Sequence, residues 1–381
     1  PGGAYNEPDE IGGANRLMMS LLSSGTEYRD SDQINDYLET IGAAISFSSH
    51  VHGYGMGIAC LVEDFEPVLT LAMEMLRVPT FPEHKFIQRR DQTLASLRYR
   101  DHDTGAMAAR LMRKLYYGTH PYSKDMMGTT ESLAALNREI LAERHRTAIY
   151  PQGAILSVCG GLEPEAAFDT VARVFGSWNA EPGEGEGELI DAVPPEKPIR
   201  DHVEIVGMSQ LDFQIGFAGP TTTSPDYEAV RLGDCVLGQF GMMGRLGSVV
   251  RDQHGLAYSI GNGNRGTKLG GLWSISAGVN PENLERALDL TLAEVKRFTD
   301  TPVTDEELDD VRSYLKGVMP LMLESNRGMA EAILSAEHYQ LGLDYYRDIT
   351  AKLAKISAEE IQAVARKYLS LEHMAIATAG T

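Results

Sequence analysis

The sequence predicts an α+β fold built twice: two homologous domains, each a mainly antiparallel sheet covered by helices. Three observations predict it. Residues 178–200 pass through alternating Glu and Gly into Pro194, Pro195 and Pro198. That composition holds neither a helix nor a central strand, so a linker divides the chain nearly in half. The halves repeat one another at a steady offset: Phe65 and Leu284 are 219 residues apart, Tyr150 and Tyr368 are 218 apart. Within each half, strand pairs alternate with pairs of amphipathic helices, the pattern of helices layered on one sheet. The expected boundaries are a domain over 1–182, a linker over 183–200 and a domain over 201–381.

The elements follow in order. Residues 12–26 enter through small residues, run through Asn15, Leu17, Met18 and Met19 and leave at Ser24-Gly25-Thr26, a helix rich in strong helix formers. Residues 42–49 read as a strand. Residues 63–76 form an amphipathic helix after a strand, and a second helix opens at Pro82-Glu83, whose acid suits the helix dipole. Residues 150–160 read as a helix end, a turn and a buried strand. The second half repeats this: an amphipathic helix over 282–295, a helix capped by Thr304, a helical stretch over 321–331 with one kink at Gly328, and a helix end, turn and buried strand from Tyr368.

At 381 residues the chain exceeds one typical core. Its 34 Lys and Arg against 54 Asp and Glu give a formal charge of −20. This argues against nucleic acid and anionic membrane as partners, since both need basic patches. It serves solubility and is compatible with basic peptides. Cys60, Cys159 and Cys235 lie far apart among apolar neighbours and read as small core residues, with no C-x-x-C pair and no disulfide framework. No apolar run reaches transmembrane length.

The helix at 12–26 has the frame of an inverzincin helix. There an H-x-x-E-H motif places two zinc-binding histidines and a water-activating glutamate on one helix face. Here the three places hold Asn15, Met18 and Met19, none of them a zinc ligand. With its small-residue entry and Gly-Thr exit, the segment resembles the pitrilysin/insulinase family (peptidase family M16), whose subunits are duplicated α+β units forming half of a clam-shell chamber. The resemblance places a third zinc ligand about seventy-seven residues on, at Ser96, which carries no carboxylate. It also implies that an initial strand segment is absent from this numbering, so a removed targeting sequence stays open. The compartment is not fixed by the sequence; a soluble protein of the bacterial periplasm or cytoplasm is expected.

A second motif is kept. The run Gly244-Arg245-Leu246 to Arg251, then Gly255-Leu256-Ala257-Tyr258, is very similar to the family's C-terminal signature. His254-Gly255 makes the turn, and the following strand can point the Tyr258 phenol back toward Arg251. Arginine offers forked donors for peptide carbonyls, and a phenol can donate to an oxyanion. The resemblance implies that this pair binds substrate and transition state across from zinc held elsewhere.

Other features weigh less. His50 and His52 share a face if they lie on a strand, but have no acidic or sulfur ligand near them in sequence. Residues 42–49 resemble the family's edge strand, onto which substrate adds, with Ile45-Ser46 in place of the usual Asn-Ala. Glycines over 238–244 resemble a short version of the glycine-rich loop in the non-catalytic subunit of mitochondrial processing peptidase, without a phosphate-binding signature. No G-x-S-x-G, Cys-His pairing or phosphate loop supports different chemistry.

The resemblance thus implies a non-catalytic subunit of a two-chain zinc metallopeptidase, with no cofactor in this chain. Zinc is expected in a homologous partner bearing H-x-x-E-H, with peptide or unfolded polypeptide as substrate. The alternative it leaves is an inert structural or peptide-holding scaffold, like the core proteins of the respiratory bc1 complex.

Overall fold

The computed structural model describes residues 2–181, 183, 188–239 and 244–381, Gln239 for its backbone only. The chain divides into two compact units. The first comprises Pro1–Tyr99, Lys124–Leu189 and Met329–Glu331, and the second Arg100–Ser123, Ile190–Gly328 and Ala332–Thr381.

The first unit opens with helices α1 (Ala14–Leu21) and α2 (Ser31–Thr40), followed by the hairpin β1 (Ala44–Ser49) and β2 (Tyr54–Ala59). Helices α3 (Phe65–Arg77) and α4 (Glu83–Arg100) come next. Then α5 (Thr104–Tyr117) joins the second unit, and α6 (Thr130–Ala135), α7 (Arg138–Ala148) and α8 (Pro164–Phe175) complete the first. Local chemistry sets these ends. Asp30 and Gln33 close a reciprocal capping box on α2, and Asn137 caps α7. The core gathers around α1, with Leu17, Met18, Met19 and Leu21 against Met73, Leu76, Phe86, Leu97 and Leu141.

In the second unit, β3 (Ile199–Glu204), β4 (Leu211–Gly219), β5 (Ala257–Arg265), β6 (Gly271–Val279) and β7 (Ala375–Gly380) form one sheet in the order β3-β7-β4-β6-β5. Only β3–β7 is parallel; the other pairs are antiparallel. Around it lie α9 (Tyr227–Asp234), α10 (Leu284–Asp300), α11 (Asp305–Met322), α12 (Asn326–His338), α13 (Tyr345–Leu353) and α14 (Ala358–Tyr368).

The strand period of two sorts side chains between the faces of this sheet. Phe213, Ile215 and Phe217 of β4 pack into one core with Trp273, Phe298 and Ile361. On the other face Met112 and Tyr116 of α5 meet Leu272, Ala375 and Ala377. Gly216 makes that approach feasible, because a Cβ there would lie 2.7 Å from the Met112 sulfur.

The α+β class and the antiparallel sheets are those the sequence predicts. The helix at 63–76 appears as α3 behind a short 3-10 turn, that at 282–295 as α10, and Thr304 caps α11. Three details differ. Residues 154–159 form no strand among the described residues, and Ile155, Leu156 and Val158 are exposed rather than buried. A strand needs a neighbour for its backbone groups. In the second unit β7 has such a neighbour on each side, β3 and β4. Secondly, the break between α11 and α12 is made by Ser325, which caps α12 through Gly328 N–H; Gly328 sits within the first turn because a Cβ would collide with the Met322 carbonyl. Thirdly, of the cysteines only Cys235 is buried, while Cys60 and Cys159 are half-buried. None of the three is in a disulfide. The linker expected over 183–200 and the glycine-rich stretch 238–244 fall partly outside the described residues. Among the described residues no helix is long and apolar enough to cross a membrane.

Candidate functional site

Helix α1 presents the three positions of interest. Gly13 precedes it in the left-handed region at φ 92°, where a Cβ would strike the Met127 carbonyl, and it turns the chain sharply into the helix. The first backbone N–H groups of a helix lack partners within it. Glu7 supplies them: one carboxylate oxygen accepts from Gly13 N (2.8 Å), the other from Asn15 N (2.6 Å). Burial pushes the Glu7 carboxyl up from its ordinary range, against the two N–H donors and the charges of Arg144 and Lys124.

Met18 and Met19 are core residues with nothing polar to offer. Asn15, 1% exposed, is the polar member and the centre of a network. Its Nδ2 donates to the Gly3 carbonyl at 3.0 Å. Its Oδ1 accepts from the Tyr54 hydroxyl at 2.9 Å and from Nε and Nη2 of Arg144, both at 3.3 Å. Arg144, on α7, is itself only 6% exposed. Burial raises the Tyr54 phenol above its usual value, so it stays a donor.

Ser96 does not join them. It lies exposed on α4, with its hydroxyl bonded to the Gln92 carbonyl of its own helix. The histidine pair lies in the turn between β1 and β2 rather than on a strand, since turn residues 50–53 are closed by His50 N–H to the Gly53 carbonyl. His50 meets the Ser48 hydroxyl at 2.9 Å, and His52 stacks on Tyr5 with ring centroids 5.2 Å apart. Among the described residues no group of three or more His, Cys, Asp or Glu side chains could hold a metal ion.

The second motif belongs to the other unit. Arg251 lies in a wide π-helical turn over Gly247–Gln253, and its carbonyl accepts from Gly255 N–H at 2.8 Å. Gly255 takes φ 63° to close the turn into β5. The Arg251 guanidinium forms an ion pair with Asp252 (Nε to Oδ1, 2.7 Å; Nη2 to Oδ2, 3.2 Å). Tyr258 follows at the start of β5, where the pairing with β6 slips between Ala257 and Ile260. A bulge of this kind re-aims side chains, and Tyr258 is 93% exposed.

Residues 1–130 match the model of insulinase (peptidase family M16), and residues 135–315 match that of the peptidase M16 inactive domain. The chain belongs to peptidase family M16. A solved M16 inactive domain from Pseudomonas fluorescens superposes with a TM-score of 0.92 at 26% identity, covering 99% of this chain and 90% of that one. The fold is shared with a protease from Helicobacter pylori, TM-score 0.90 at 18% identity over 99% and 92% of the two chains. Among curated relatives, an uncharacterized zinc protease YmxG of Bacillus subtilis is 23% identical over 97% of this chain and 89% of its own length. A non-peptidase homolog YmxG of Helicobacter pylori is 20% identical over 99% and 86%.

For an M16 chain the implied group is zinc, and the residues present do not fit it. Zinc takes thiolate, imidazole or carboxylate. At the motif stand an amide already bonded on both its oxygen and its nitrogen and two buried thioethers, with an exposed hydroxyl at 96. Four features escaped the sequence: Glu7, Tyr54, Arg144 and the buried Asp234. Asp234, the last residue of α9, accepts from Asn262 Nδ2 (2.7 Å) and Asn264 N (3.3 Å), and burial pushes its carboxyl up to about 7. An acid just ahead of a Gly-Gly helix entry is the signal that could have revealed Glu7 as a cap. Spacing gives no such sign for Tyr54 or Arg144.

Proposed function

We propose that this chain is the zinc-free subunit of a two-chain M16 peptidase, paired with a homologous subunit that carries H-x-x-E-H. The metal and its chemistry belong to that partner. This chain contributes Arg251, whose fork holds carbonyls of a bound peptide or unfolded polypeptide, and Tyr258, whose hydroxyl donates to the oxygen that gains charge at the scissile carbonyl.

The observation that carries the reading is the exposure of Tyr258. The positions at 15, 18 and 19 are sealed in the core, whereas this large aromatic stands 93% exposed, available to something outside its own unit. The purified chain alone is expected to bind no stoichiometric zinc and to cleave no peptide. Mixed with a partner bearing H-x-x-E-H, it is expected to restore cleavage of a quenched-fluorescent peptide. In that pair Tyr258→Phe is expected to lower kcat by roughly 10²–10³-fold, the usual cost of one oxyanion donor.

A second reading, a catalytically inert scaffold that holds peptide or builds a complex, draws on a different observation. The Arg251 guanidinium is already engaged by Asp252. Unchanged turnover in the Tyr258→Phe pair would favour it.

A further inference from the structure

We propose that Arg144 closes the vacated metal position to cations, so that restoring the missing ligands would not by itself rebuild a zinc site. This rests on reading Asn15, Met18 and Met19 as the former H-x-x-E-H positions. The guanidinium is buried, and two of its N–H groups converge on Asn15 Oδ1, the atom at the first ligand position. The buried carboxylate of Glu7, at the motif helix's entry, is taken up by the backbone N–H groups of Gly13 and Asn15.

A divalent ion held by side chains at 15 and 19 would lie within a few ångströms of a fixed positive charge in a poorly screened interior. It would also face the positive N-terminal end of α1. The second obstacle is a lone pair. An imidazole at position 15 would receive the Arg144 N–H on the ring nitrogen that a metal needs. Arginine keeps its proton throughout the accessible pH range, so the closure cannot be relieved by titration. The missing ligands and the guanidinium are therefore two separate obstacles at this site.

The test compares three proteins: the full chain carrying N15H/M18E/M19H/S96E, the same chain with Arg144→Gln added, and Arg144→Gln alone. Each is checked for folding by circular dichroism. Zinc uptake is read by equilibrium dialysis, and Co²⁺ by the visible absorption of a tetrahedral site. The expected result is that the ligand-restored chain takes up metal no better than the unaltered one. Adding Arg144→Gln is expected to raise affinity at least a hundredfold and give one equivalent, while Arg144→Gln alone binds none. One equivalent bound with Arg144 in place would overturn the closure and leave the motif positions standing. No uptake in either restored chain would overturn both. Should the fourfold variant fail to fold, N15H/M19H with and without Arg144→Gln gives the same ratio at lower affinity.

Discussion

At the scale of single residues, Asn15 is a structural hub. Asn15 ties together partners 8, 12, 39 and 129 residues away in sequence. Asn15→Ala would take an acceptor away from both the Tyr54 hydroxyl and the Arg144 guanidinium in the core, and losing a partner to a buried polar group costs about 1–3 kcal/mol, more when charged. A loss of about 2–4 kcal/mol is expected, read as a lower urea midpoint with an unchanged slope. That these positions bear no zinc ligand was legible in the sequence, because helix geometry fixes which residues share a face. The partners were not legible, since no periodicity marks a hydrogen bond reaching across 129 residues. Asp234 adds a pH effect at the same scale. Its folded carboxyl titrates at about 7 against 3.8 in an open chain, so the folded state holds the extra proton between those values. Its contribution is fully present below about pH 4 and is lost as pH rises through about 7. The thermal midpoint of the parent chain is expected to fall between pH 5 and 8 relative to Asp234→Asn, which lacks that titration.

At the scale of elements, ends and edges decided what the sequence could disclose. The start of α11 was legible from Thr304 alone. The structure adds a capping box with Glu307, and Arg245 forks onto the same carboxylate at 2.6 and 2.7 Å. Burial works against the charge on Glu307, but the Arg245 and Thr304 N–H groups outweigh it and hold the carboxyl at about 2. A depressed carboxyl contributes stability above its ordinary value of 4.5 and loses it as pH falls through about 2. Glu307→Gln is therefore expected to cost about 1–3 kcal/mol at pH 7 and progressively less below pH 4, followed by denaturation at several pH values. Thr304→Ala should cost about 1 kcal/mol. Residues 154–159 show the opposite case. Their apolar run reads as a strand, yet strand formation depends on a neighbour that no local pattern supplies, whereas β7 has one on each side. Helices, which bond within themselves, were correspondingly easier to place.

For the whole molecule, the repeat was readable where amphipathic helices recur, as α3 and α10 do 219 residues apart. The packing units were less so. Helix α5 lies in the N-terminal half of the sequence, but its apolar face carries Met112 and Tyr116, which pack with β6 and β7 in the second unit. The proposed function turns on Tyr258, and there stability and activity can be separated. A side chain 93% exposed buries little on folding, so Tyr258→Phe is expected to leave the urea midpoint of the isolated chain within about 0.5 kcal/mol of its parent. The hydroxyl is then the only thing removed. A fall in kcat of the reconstituted pair, with KM little changed, would mark an interaction made in the transition state. A parallel rise in KM alone would place Tyr258 in substrate holding, and no change in either would leave the exposed ring to an inert scaffold. Because the isolated chain has no predicted turnover of its own, each of these outcomes must come from the assembled pair, and the stability measurement on the single chain shows that folding is not what changed.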